Sequence, residues 1–447
     1  MRLFKMAVVI DHRHGFKPFS RSQRCKLQSF GHLDHNIVGL PHTSFSYSFE
    51  QAFEADNIHR SFSTPCLSLT TLAGEDLSSS NPRIEIVSGS GAPVHALVVE
   101  VAIAMASGVH PKPLPSGLGG AYVFCNKSGN IAVAKPVDEE PLALNNPKGL
   151  GGKKLGQPGL KSSIRIGETG IRELAAYLLD HGGFAGVPPT ALVKFCHTPF
   201  FSADAIAAKA SHVPKLASLQ RFIGHGFDAG ELGPSFFSVA SVHQIGILDI
   251  RLLNLDRHAG NMLVMKHNHN SYVAGVTADL VPIDHGFCLP DRLDDPYFEW
   301  LHWPQASTPF SESELEYVSK LDPFKDADVL RTKVPLLSES SIRVLVVCTI
   351  FLKHAVSVGL FLADIGQMMT REFCGGEEIP SQLETICSQV MASTLIISNE
   401  ENNIKAKYGC EISAISFGDL SQVHWELFLE NFNKLLVGVF EDKKYRN

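Results

Sequence analysis

The segment between residues 248 and 286 constrains the fold of this chain more than any other part of its sequence. Asp256 and Asn261 lie on one predicted loop, and a short apolar strand follows directly. A second strand is predicted at 278–283, and Asp284 begins the sequence Asp-His-Gly immediately after it. Each of these residues alone is a common turn residue. Asp256 and Asn261 precede the predicted hairpin and Asp284 follows it. This arrangement favours one shared site over two unrelated turns.

A second predicted hairpin lies upstream and has the features of a phosphate site. Its strands are expected at 121–126 and 131–136, joined by the turn sequence Lys-Ser-Gly-Asn, and Lys135 lies near the end of the second strand. A glycine-rich segment precedes the hairpin and consists of Ser116, Gly117, Leu118, Gly119 and Gly120. Its missing side chains allow backbone N–H groups to approach anionic oxygens. On its own this signal is weak, because most glycine clusters form ordinary turns.

Glu173 lies in a predicted amphipathic helix at 168–180, where apolar residues recur at i, i+3, i+4 and i+7. The preceding segment, 139–163, contains several glycines and lysines and is expected to be an exposed loop. Further elements are predicted downstream, with strands at 187–196 and 215–222 and helices at 236–253, 311–321, 340–367 and 424–438. A strand-rich half is therefore followed by a helix-rich half.

Phosphoryl transfer from ATP requires four parts that these segments offer in order. They are a glycine loop over the phosphates, a lysine on a neighbouring strand, a loop carboxylate near the acceptor hydroxyl, and oxygen ligands for a metal ion. Lys135 alone would be interpreted as a solvated lysine, and Glu173 alone as part of a wet helix face. The combination with Asp256, Asn261 and Asp284 favours a phosphotransferase.

Composition and charge exclude several other classes of protein. The net charge of −7 gives no global basic field for nucleic acid or for an anionic membrane, so a phosphate-rich partner must be held by a local site. The nine cysteines are scattered and contain no C-x-x-C pair, which predicts reduced intracellular thiols. The N-terminal apolar run is too short for a signal peptide. The apolar run at 344–363 contains Lys353 and is expected to be a buried helix. We therefore expect a cytoplasmic protein without a transmembrane segment.

The domain boundary is predicted from a change in sequence character near residue 95. Residues 1–95 are rich in Ser, His, Phe and Gln and show little periodicity, so we expect a largely disordered or irregular extension. The folded domain is expected at 96–440, with a first lobe at about 96–223 and a second at about 224–440.

The loop sequences Asp256-Arg-His-Ala-Gly-Asn261 and Asp284-His-Gly286 resemble the catalytic and activation loops of the phosphatidylinositol 3- and 4-kinase family. Protein kinases have His-Arg-Asp and Asp-Phe-Gly instead. Within the family, the chain is similar to the plant phosphatidylinositol 4-kinase gamma proteins of the type II group over about residues 95–440. The sequences that carry this similarity are Lys135-Pro-Val-Asp-Glu-Glu-Pro, Asn145-Asn-Pro, Gly182-Gly-Phe-Ala-Gly-Val-Pro-Pro-Thr-Ala and Pro296-Tyr-Phe-Glu-Trp-Leu-His-Trp-Pro-Gln-Ala.

This resemblance implies a two-lobed kinase-like α+β fold, with a small antiparallel-sheet lobe, a mostly helical lobe and ATP in the cleft between them. It implies 1-phosphatidylinositol 4-kinase activity, in which the 4-hydroxyl of phosphatidylinositol is phosphorylated with ATP and Mg²⁺, or with Mn²⁺ in its place. Asp256, Lys135 and Arg257 would be catalytic, and Asn261 and Asp284 would ligate the metal. ATP contacts would come from Ser116, Gly117, Leu118, Gly119, Gly120, Lys135, Glu173, Asp284 and a hinge formed by Gln220, Arg221, Phe222 and Ile223.

The sequence departs from the animal type II enzymes at the loop after the lysine strand. Those enzymes carry a cysteine-rich patch for palmitoylation, whereas residues 150–163 contain no cysteine. Lys148, Lys153, Lys154 and Lys161 offer an electrostatic substitute worth about 1 kcal/mol each at an anionic surface. The expected partner is phosphatidylinositol in a membrane, contacted peripherally, with no role for nucleic acid.

Two other functions remain open at this point. The same machinery could phosphorylate Ser or Thr on protein substrates, or the chain could be a nucleotide-binding scaffold without turnover. Four conspicuous side chains near the site are expected to be structural. His258 and His285 are expected to pack locally, and Trp300 and Trp303 are expected to pack in the second lobe instead of forming a membrane-facing belt.

Overall fold

An antiparallel sheet of seven strands forms the first lobe. The structure, a computed structural model, describes residues 7–9, 82–196, 198, 200, 214–265, 277–374, 377–397 and 415–444. The strands lie in the order β1-β2-β6-β7-β5-β4-β3. They are β1 (Ala7–Val9), β2 (Arg83–Ser88), β3 (Lys112–Pro113), β4 (Tyr122–Asn126), β5 (Gly129–Pro136), β6 (Thr190–Cys196) and β7 (Lys215–Arg221).

The hairpin of β4 and β5 places Lys135 in the interior of this sheet. Gly129 adopts a φ of 128° at the turn, a conformation that favours glycine, so the turn sequence explains the hairpin. β5 pairs with β4 on one side and with β7 on the other, where Lys135 lies opposite Ser218. The predicted hairpin is therefore confirmed, with strand ends shifted by one or two residues.

Two helices cover opposite faces of the sheet. Helix α1 (Ala92–Ala106) and helix α2 (Thr169–Leu179) both bury apolar side chains against it. Val193 of β6 belongs to the core beneath α1, and the adjacent Leu192 belongs to the larger core that includes α2. Neighbouring strand residues point to opposite faces, so one strand serves both cores. Helix α2 carries Glu173, as the sequence pattern predicts.

The second lobe is mostly helical and begins just after β7. A three-stranded sheet in the order β10-β9-β8 lies next to the cleft, formed by β8 (His225–Asp228), β9 (Met262–Met265) and β10 (Leu280–Pro282). The helices are α3 (Val239–Leu252), α4 (Glu312–Lys320), α5 (Pro323–Lys333), α6 (Glu339–Ser357), α7 (Leu362–Met369), α8 (Gln382–Ile397) and α9 (Gln422–Lys444). A small ribbon of β11 (Glu372–Cys374) and β12 (Glu377–Ile379) separates α7 from α8. The predicted α+β architecture with two lobes is confirmed.

Ordered structure begins earlier than the boundary expected at residue 95. β2 pairs with β6, and its alternating Ile84 and Ile86 are buried beneath α1. Helix α1 begins at Ala92, with Pro93 in its first turn, where proline is tolerated because those N–H groups have no helical partner. β1 also joins the sheet through β2. The rest of the expected extension, residues 1–6 and 10–81, lies outside the described residues.

The long apolar segment predicted as one helix at 340–367 consists of two helices. Gly359 has a φ of 85° between α6 and α7, which ends the first helix. By length and composition α6 could span a membrane, and 78% of its apolar window is buried inside the protein. Lys353 donates to the backbone carbonyls of Ser319 (3.0 Å) and Leu321, so its ammonium is satisfied within the lobe. This burial agrees with the expected core helix.

Candidate active site

Lys135 lies between two carboxylates where the two lobes meet. Its Nζ is 2.7 Å from Oε1 of Glu173 and 3.0 Å from Oδ1 of Asp284. Glu173 is buried on α2, where Ser218 Oγ also donates to its Oε2 at 3.1 Å. The ion pair expected between Lys135 and Glu173 is present, and the second contact brings Asp284 into the same cluster.

These charges determine the ionisation of the cluster. Burial alone would lower the pKa of Lys135, but the negative charges of Asp284 and Glu173 outweigh it and raise that pKa. Burial alone would raise the pKa of Asp284, but Lys135 and the more distant Arg257 lower it instead. An ammonium and an ionised Asp284 therefore coexist at neutral pH. Such a pair suits a site for phosphate oxygens and a hard cation.

The hairpin of β9 and β10 brings Asp284 to the loop that holds Asp256 and Asn261. Ile283 N–H donates to the carbonyl of Asn261 at 3.0 Å, which joins the end of one loop to the start of the other. Asp284 itself has a φ of 53°, in the left-handed region that aspartate tolerates better than most residues. The convergence predicted around this hairpin is therefore present.

The loop from Asp256 to Asn261 is fixed by its own side chains. Asn261 Nδ2 donates to the carbonyl of Asp256 at 2.9 Å, which leaves Oδ1 as the side-chain oxygen for a ligand. Asn254 Oδ1 accepts from the N–H of Asp256 at 3.1 Å. Partial burial raises the pKa of Asp256, and the nearby His258 partly opposes this shift. The loop thus presents a carboxylate and an amide oxygen from one rigid turn.

Arg257 does not face the cleft, which corrects the expectation that it is catalytic. Its side chain is fully buried, and its Nε lies 3.1 and 3.0 Å from the two carboxylate oxygens of Asp249 on α3. Its Nη1 donates to the carbonyls of Asn261 at 2.7 Å and Ile283 at 2.9 Å. Arg257 is therefore a positioning residue that joins the two loops from beneath. Asp249 also accepts from Trp300 Nε1 at 3.0 Å, so one carboxylate organises this network.

We expect Asp249→Ala to destabilise the protein by about 3–5 kcal/mol, because it leaves the buried guanidinium of Arg257 without its counter-charge. Urea denaturation monitored by tryptophan fluorescence measures this loss. Asp328→Ala is the matched control, since the Asp328 side chain is 75% exposed and its ion pair with Arg331 lies on the surface. Equal midpoints for the two variants would contradict the central role given to Asp249.

The raised pKa of Asp256 predicts the acid limb of the activity profile. Asp256 can accept a proton only when ionised, so activity should fall with decreasing pH at a value above that of an ordinary aspartate. Since a charged His258 lowers this pKa, His258→Gln should move the limb to still higher pH. The measurement is kcat/KM against pH for both proteins. An unchanged limb in His258→Gln would show that another group titrates.

The glycine-rich segment lies between β3 and β4, beside the strand of Lys135. Gly117 has a φ of 80°, and a Cβ on Gly120 would clash with the carboxylate of Glu139. Gly120 N–H already donates to the carbonyl of Glu139 at 2.8 Å. The structure brings Ser116, Leu118 and Gly119 to this loop as well, and a Cβ on Gly119 would lie 3.2 Å from Pro141. At Gly119 and Gly120, packing accounts for the absence of side chains.

The first part of the segment 139–163, residues 139–148, packs against this loop, contrary to the expectation of an exposed loop, whereas most of residues 149–162 is exposed as expected. Asn146 is buried, and its Nδ2 donates to the carbonyl of Leu118 at 2.8 Å. Lys148 Nζ donates to the carbonyls of Leu114 at 2.8 Å and Pro115 at 3.0 Å. These residues hold the glycine-rich segment from outside. The sequence Asn145-Asn-Pro is the signal that could have identified them.

Glu140, in the same segment, caps helix α2. Its carboxylate accepts from Thr169 N–H at 3.0 Å, Thr169 Oγ1 at 2.6 Å and Gly167 N–H at 2.7 Å. Burial raises the pKa of Glu140 to about 8, although the three donors favour the ionised form. Sequence patterns did not indicate this contact, because a cap supplied from a distant segment leaves no local spacing.

The hinge expected at residues 220–223 lies at the end of β7, where the chain leaves the first lobe. Gln220 Nε2 donates to Thr190 Oγ1 at 2.9 Å, so this side chain faces the sheet. The N–H groups of Arg221 and Phe222 donate to the carbonyls of Pro189 and Ile131, respectively. Contacts from N–H groups to an adenine edge would thus have to come from Ile223 or beyond.

His285, Trp300 and Trp303 are buried as expected, whereas His258 is exposed and does not have the packed environment expected of it. Trp300 is fully buried, and Trp303, which is 6% exposed, packs against Phe237 with ring centroids 5.0 Å apart. His285 is buried, and its nitrogens have no hydrogen-bond partner among the described residues. Burial lowers the pKa of His285 well below its ordinary value, so the ring is neutral.

The residues present fit a Mg²⁺ ion held jointly with a nucleotide. Asn261 and Asp284 offer hard oxygen ligands of the kind that Mg²⁺ prefers. The described part of the chain contains no group of three or more His, Cys, Asp or Glu side chains that could hold a metal ion alone. Mg²⁺ is usually bound by one or two carboxylates together with substrate phosphates. The oxygens at this site match that incomplete set.

Comparisons with known proteins agree with this geometry. A sequence model of the family "Phosphatidylinositol 3- and 4-kinase" matches residues 117–365. The chain is 57% identical over 430 residues to phosphatidylinositol 4-kinase gamma 1 of Arabidopsis thaliana, covering 93% of this chain and 75% of that protein. It is 56% identical over 423 residues to phosphatidylinositol 4-kinase gamma 8 of the same plant, covering 91% and 78%. The crystal structure of the Golgi casein kinase aligns with a TM-score of 0.35 and 14% identity over 57% of this chain and 75% of that one, a likeness too weak to carry an argument.

Proposed function

The chain belongs to the phosphatidylinositol 3- and 4-kinase family, within its plant phosphatidylinositol 4-kinase gamma group, and on that basis we propose that it phosphorylates phosphatidylinositol at the inositol 4-hydroxyl. The observation that carries the proposal is the cluster of Lys135, Glu173 and Asp284 beside the loop of Asp256 and Asn261. This cluster supplies the groups that phosphoryl transfer from ATP requires.

Each residue has a separate task in the proposed reaction. Lys135 binds phosphate oxygens of ATP, and Glu173 orients its ammonium from α2. Asp256 accepts or orients the proton of the acceptor hydroxyl. Asn261 and Asp284 hold Mg²⁺, or Mn²⁺, which when bound neutralises charge on the phosphates. The hydrogen bond from Asn261 to the backbone of Asp256 and those from Arg257 to both loops hold these groups in fixed relative positions.

The test is a labelled-ATP assay with two acceptors offered side by side. Purified protein receives Mg²⁺, phosphatidylinositol vesicles and a generic protein mixture, and the lipid and protein fractions are counted separately. We expect label in the lipid, absent from Asp256→Asn. Label found only in the protein fraction would mean that the acceptor is Ser or Thr on a protein and not the lipid. Nucleotide binding without transfer to either acceptor would indicate a scaffold.

The proposed acceptor lies in a membrane, so we also propose peripheral contact with an anionic surface. Lys153 and Lys154 are exposed on the segment after the lysine strand. Lys153 Nζ donates to the carbonyl of Pro158 at 3.0 Å in an exposed contact, whereas Lys148 is partly buried and donates to two backbone carbonyls of the segment before β4. An exposed basic residue contributes about 1 kcal/mol at an anionic surface, and salt screens this attraction.

We expect the double substitution Lys153→Glu and Lys154→Glu to weaken sedimentation with anionic vesicles at low salt, with little effect at high salt. The control is Lys320→Glu with Lys325→Glu, which changes the net charge equally on the second lobe, where both side chains are exposed. If both double variants sediment alike, contact through the lysine-bearing segment is wrong.

A further inference from the structure

Arg172, the neighbour of Glu173 on α2, is a buried guanidinium with an unusual set of acceptors. It is 1% exposed. Its Nη1 donates to the carbonyl of Cys288 at 3.0 Å and also to that of Leu289, and its Nη2 pairs with Glu168 at 2.5 Å. A buried guanidinium is costly unless its donors are paired, and these contacts engage both terminal nitrogens, whereas Nε has no hydrogen-bond partner among the described residues. Arg172 therefore joins α2 to the segment that follows Asp284.

Other contacts join the same two elements. Cys288 Sγ lies 3.7 Å from the carbonyl of Arg172. A Cβ on Gly286 would lie 2.9 Å from Cβ of Thr169, so only glycine allows the chain to approach the start of α2 this closely. Leu289 has a φ of 52°, and its N–H donates to the carbonyl of Leu252 at 2.7 Å. Residues 286–289 are thus held by α2 on one side and by the end of α3 on the other.

These contacts close a ring around the proposed phosphate site. Residues 172 and 173 are adjacent on α2, Glu173 contacts Lys135, and Lys135 contacts Asp284. From Asp284 the chain runs four residues to Cys288, which returns to Arg172. Three of these links depend on side chains, and the link from Arg172 is made to backbone carbonyls.

We propose that Arg172 is a positioning residue that holds α2 and residues 286–289 together, so that Lys135 and Asp284 stay assembled. This inference rests on the proposed function, because that function assigns ATP and metal binding to Lys135 and Asp284. The contacts themselves are independent of which acceptor is used. Arginine is suited to this task, because its planar fork reaches several acceptors that lysine cannot reach together.

The experiment compares Arg172→Met with Arg251→Met in the full chain. Arg251 is an equally buried arginine that donates to the carbonyl of Leu179 at 3.0 Å and pairs with Asp326 at 2.8 Å. It thus matches Arg172 in burial, in the kind of partners and in contacting α2, whose last residue is Leu179, but it makes no hydrogen bond to residues 286–289. Arg172→Lys serves as the conservative variant and keeps a charge beside Glu168.

Three quantities are measured at a temperature where each variant is folded: hydrogen exchange, Mg²⁺-dependent ATP affinity, and kcat with phosphatidylinositol. We expect Arg172→Met to exchange faster in residues 286–291 and to bind ATP more weakly. Its kcat should fall by about 10²-fold, because small displacements of reacting groups have effects of that size. Arg172→Lys should show an intermediate loss. Arg251→Met should lower stability while leaving exchange in 286–291 and kcat near the wild-type values.

Two results would overturn the proposal. One is folded Arg172→Met with unchanged exchange in 286–291 and unchanged ATP affinity. The other is an equal loosening of 286–291 in Arg251→Met, which would mean that general destabilisation is responsible. Exchange and ATP binding need no acceptor, so these outcomes differ from failure of the lipid-kinase function. If Arg172→Met does not fold, Arg172→Lys takes its place. Exchange in 286–291 and ATP affinity are then compared between Arg172→Lys and Arg251→Met, and the same two results would overturn the proposal.

Discussion

Asp284→Asn is expected to lower kcat by about 10³-fold, the equivalent of about 4 kcal/mol of transition-state stabilisation. The substitution removes the charge that faces Lys135 and replaces the carboxylate proposed to ligate the metal with a neutral, weaker amide oxygen. Asparagine is preferred to alanine because Asp284 has a φ of 53°, and asparagine tolerates that backbone conformation. The backbone therefore keeps its geometry, and the loss reports on the carboxylate.

A second measurement separates metal binding from turnover for this variant. ATP affinity is measured by fluorescence with and without Mg²⁺. Asp284→Asn should lose most of the increase in affinity that Mg²⁺ provides, while Asp328→Asn on the surface of α5 should keep it. Activity above about a tenth of wild type, a barrier change of only about 1.4 kcal/mol, would show that Asp284 is not the principal ligand.

Asp256→Asn is expected to lower the rate of transfer strongly while preserving ATP binding. General base catalysis contributes about 10²–10⁴-fold, so kcat should fall within that range. The amide retains the size of the side chain, and the bond from Asn261 goes to the backbone carbonyl of residue 256, which is unchanged. The loop should keep its conformation.

The control for Asp256→Asn is its affinity for ATP with Mg²⁺, which should equal that of the wild type. Its melting temperature should also remain close to wild type, because Asp256 is only partly buried. Retained transfer would mean that another group receives the acceptor proton. Loss of ATP binding together with transfer would mean that Asp256 belongs to the nucleotide site.

Local sequence patterns predicted those parts of the fold whose signal lies within a few residues. The hairpin of β4 and β5, the helix of Glu173, and the hairpin that ends at Asp284 were all evident from periodicity and turn residues. Helix α5 was not predicted, although Asp322 caps it and Pro323 lies at its first position, because its apolar pattern is weak. β2 was missed because its two buried isoleucines lie within a polar region.

The groups proposed to act on the substrates and the metal were predicted better than the groups that position them. Lys135, Glu173, Asp256, Asn261 and Asp284 occur in recognisable spacings, and the structure brings them together. The direction of a loop side chain is set by distant partners. Arg257 therefore points to Asp249 beneath the site. Arg172 points to the backbone of Cys288, and Glu140 points to the start of α2. Buried charged pairs of this kind leave no periodic trace in a sequence.

The most direct test of the central claim is the position of the phosphate on the lipid product. Labelled product from phosphatidylinositol vesicles is deacylated, and the resulting glycerophosphoinositol phosphate is separated by ion-exchange chromatography against standards. We expect a 4-phosphate that is absent when Asp256→Asn replaces the wild type. A 3- or 5-phosphate, or labelled protein without labelled lipid, would contradict it.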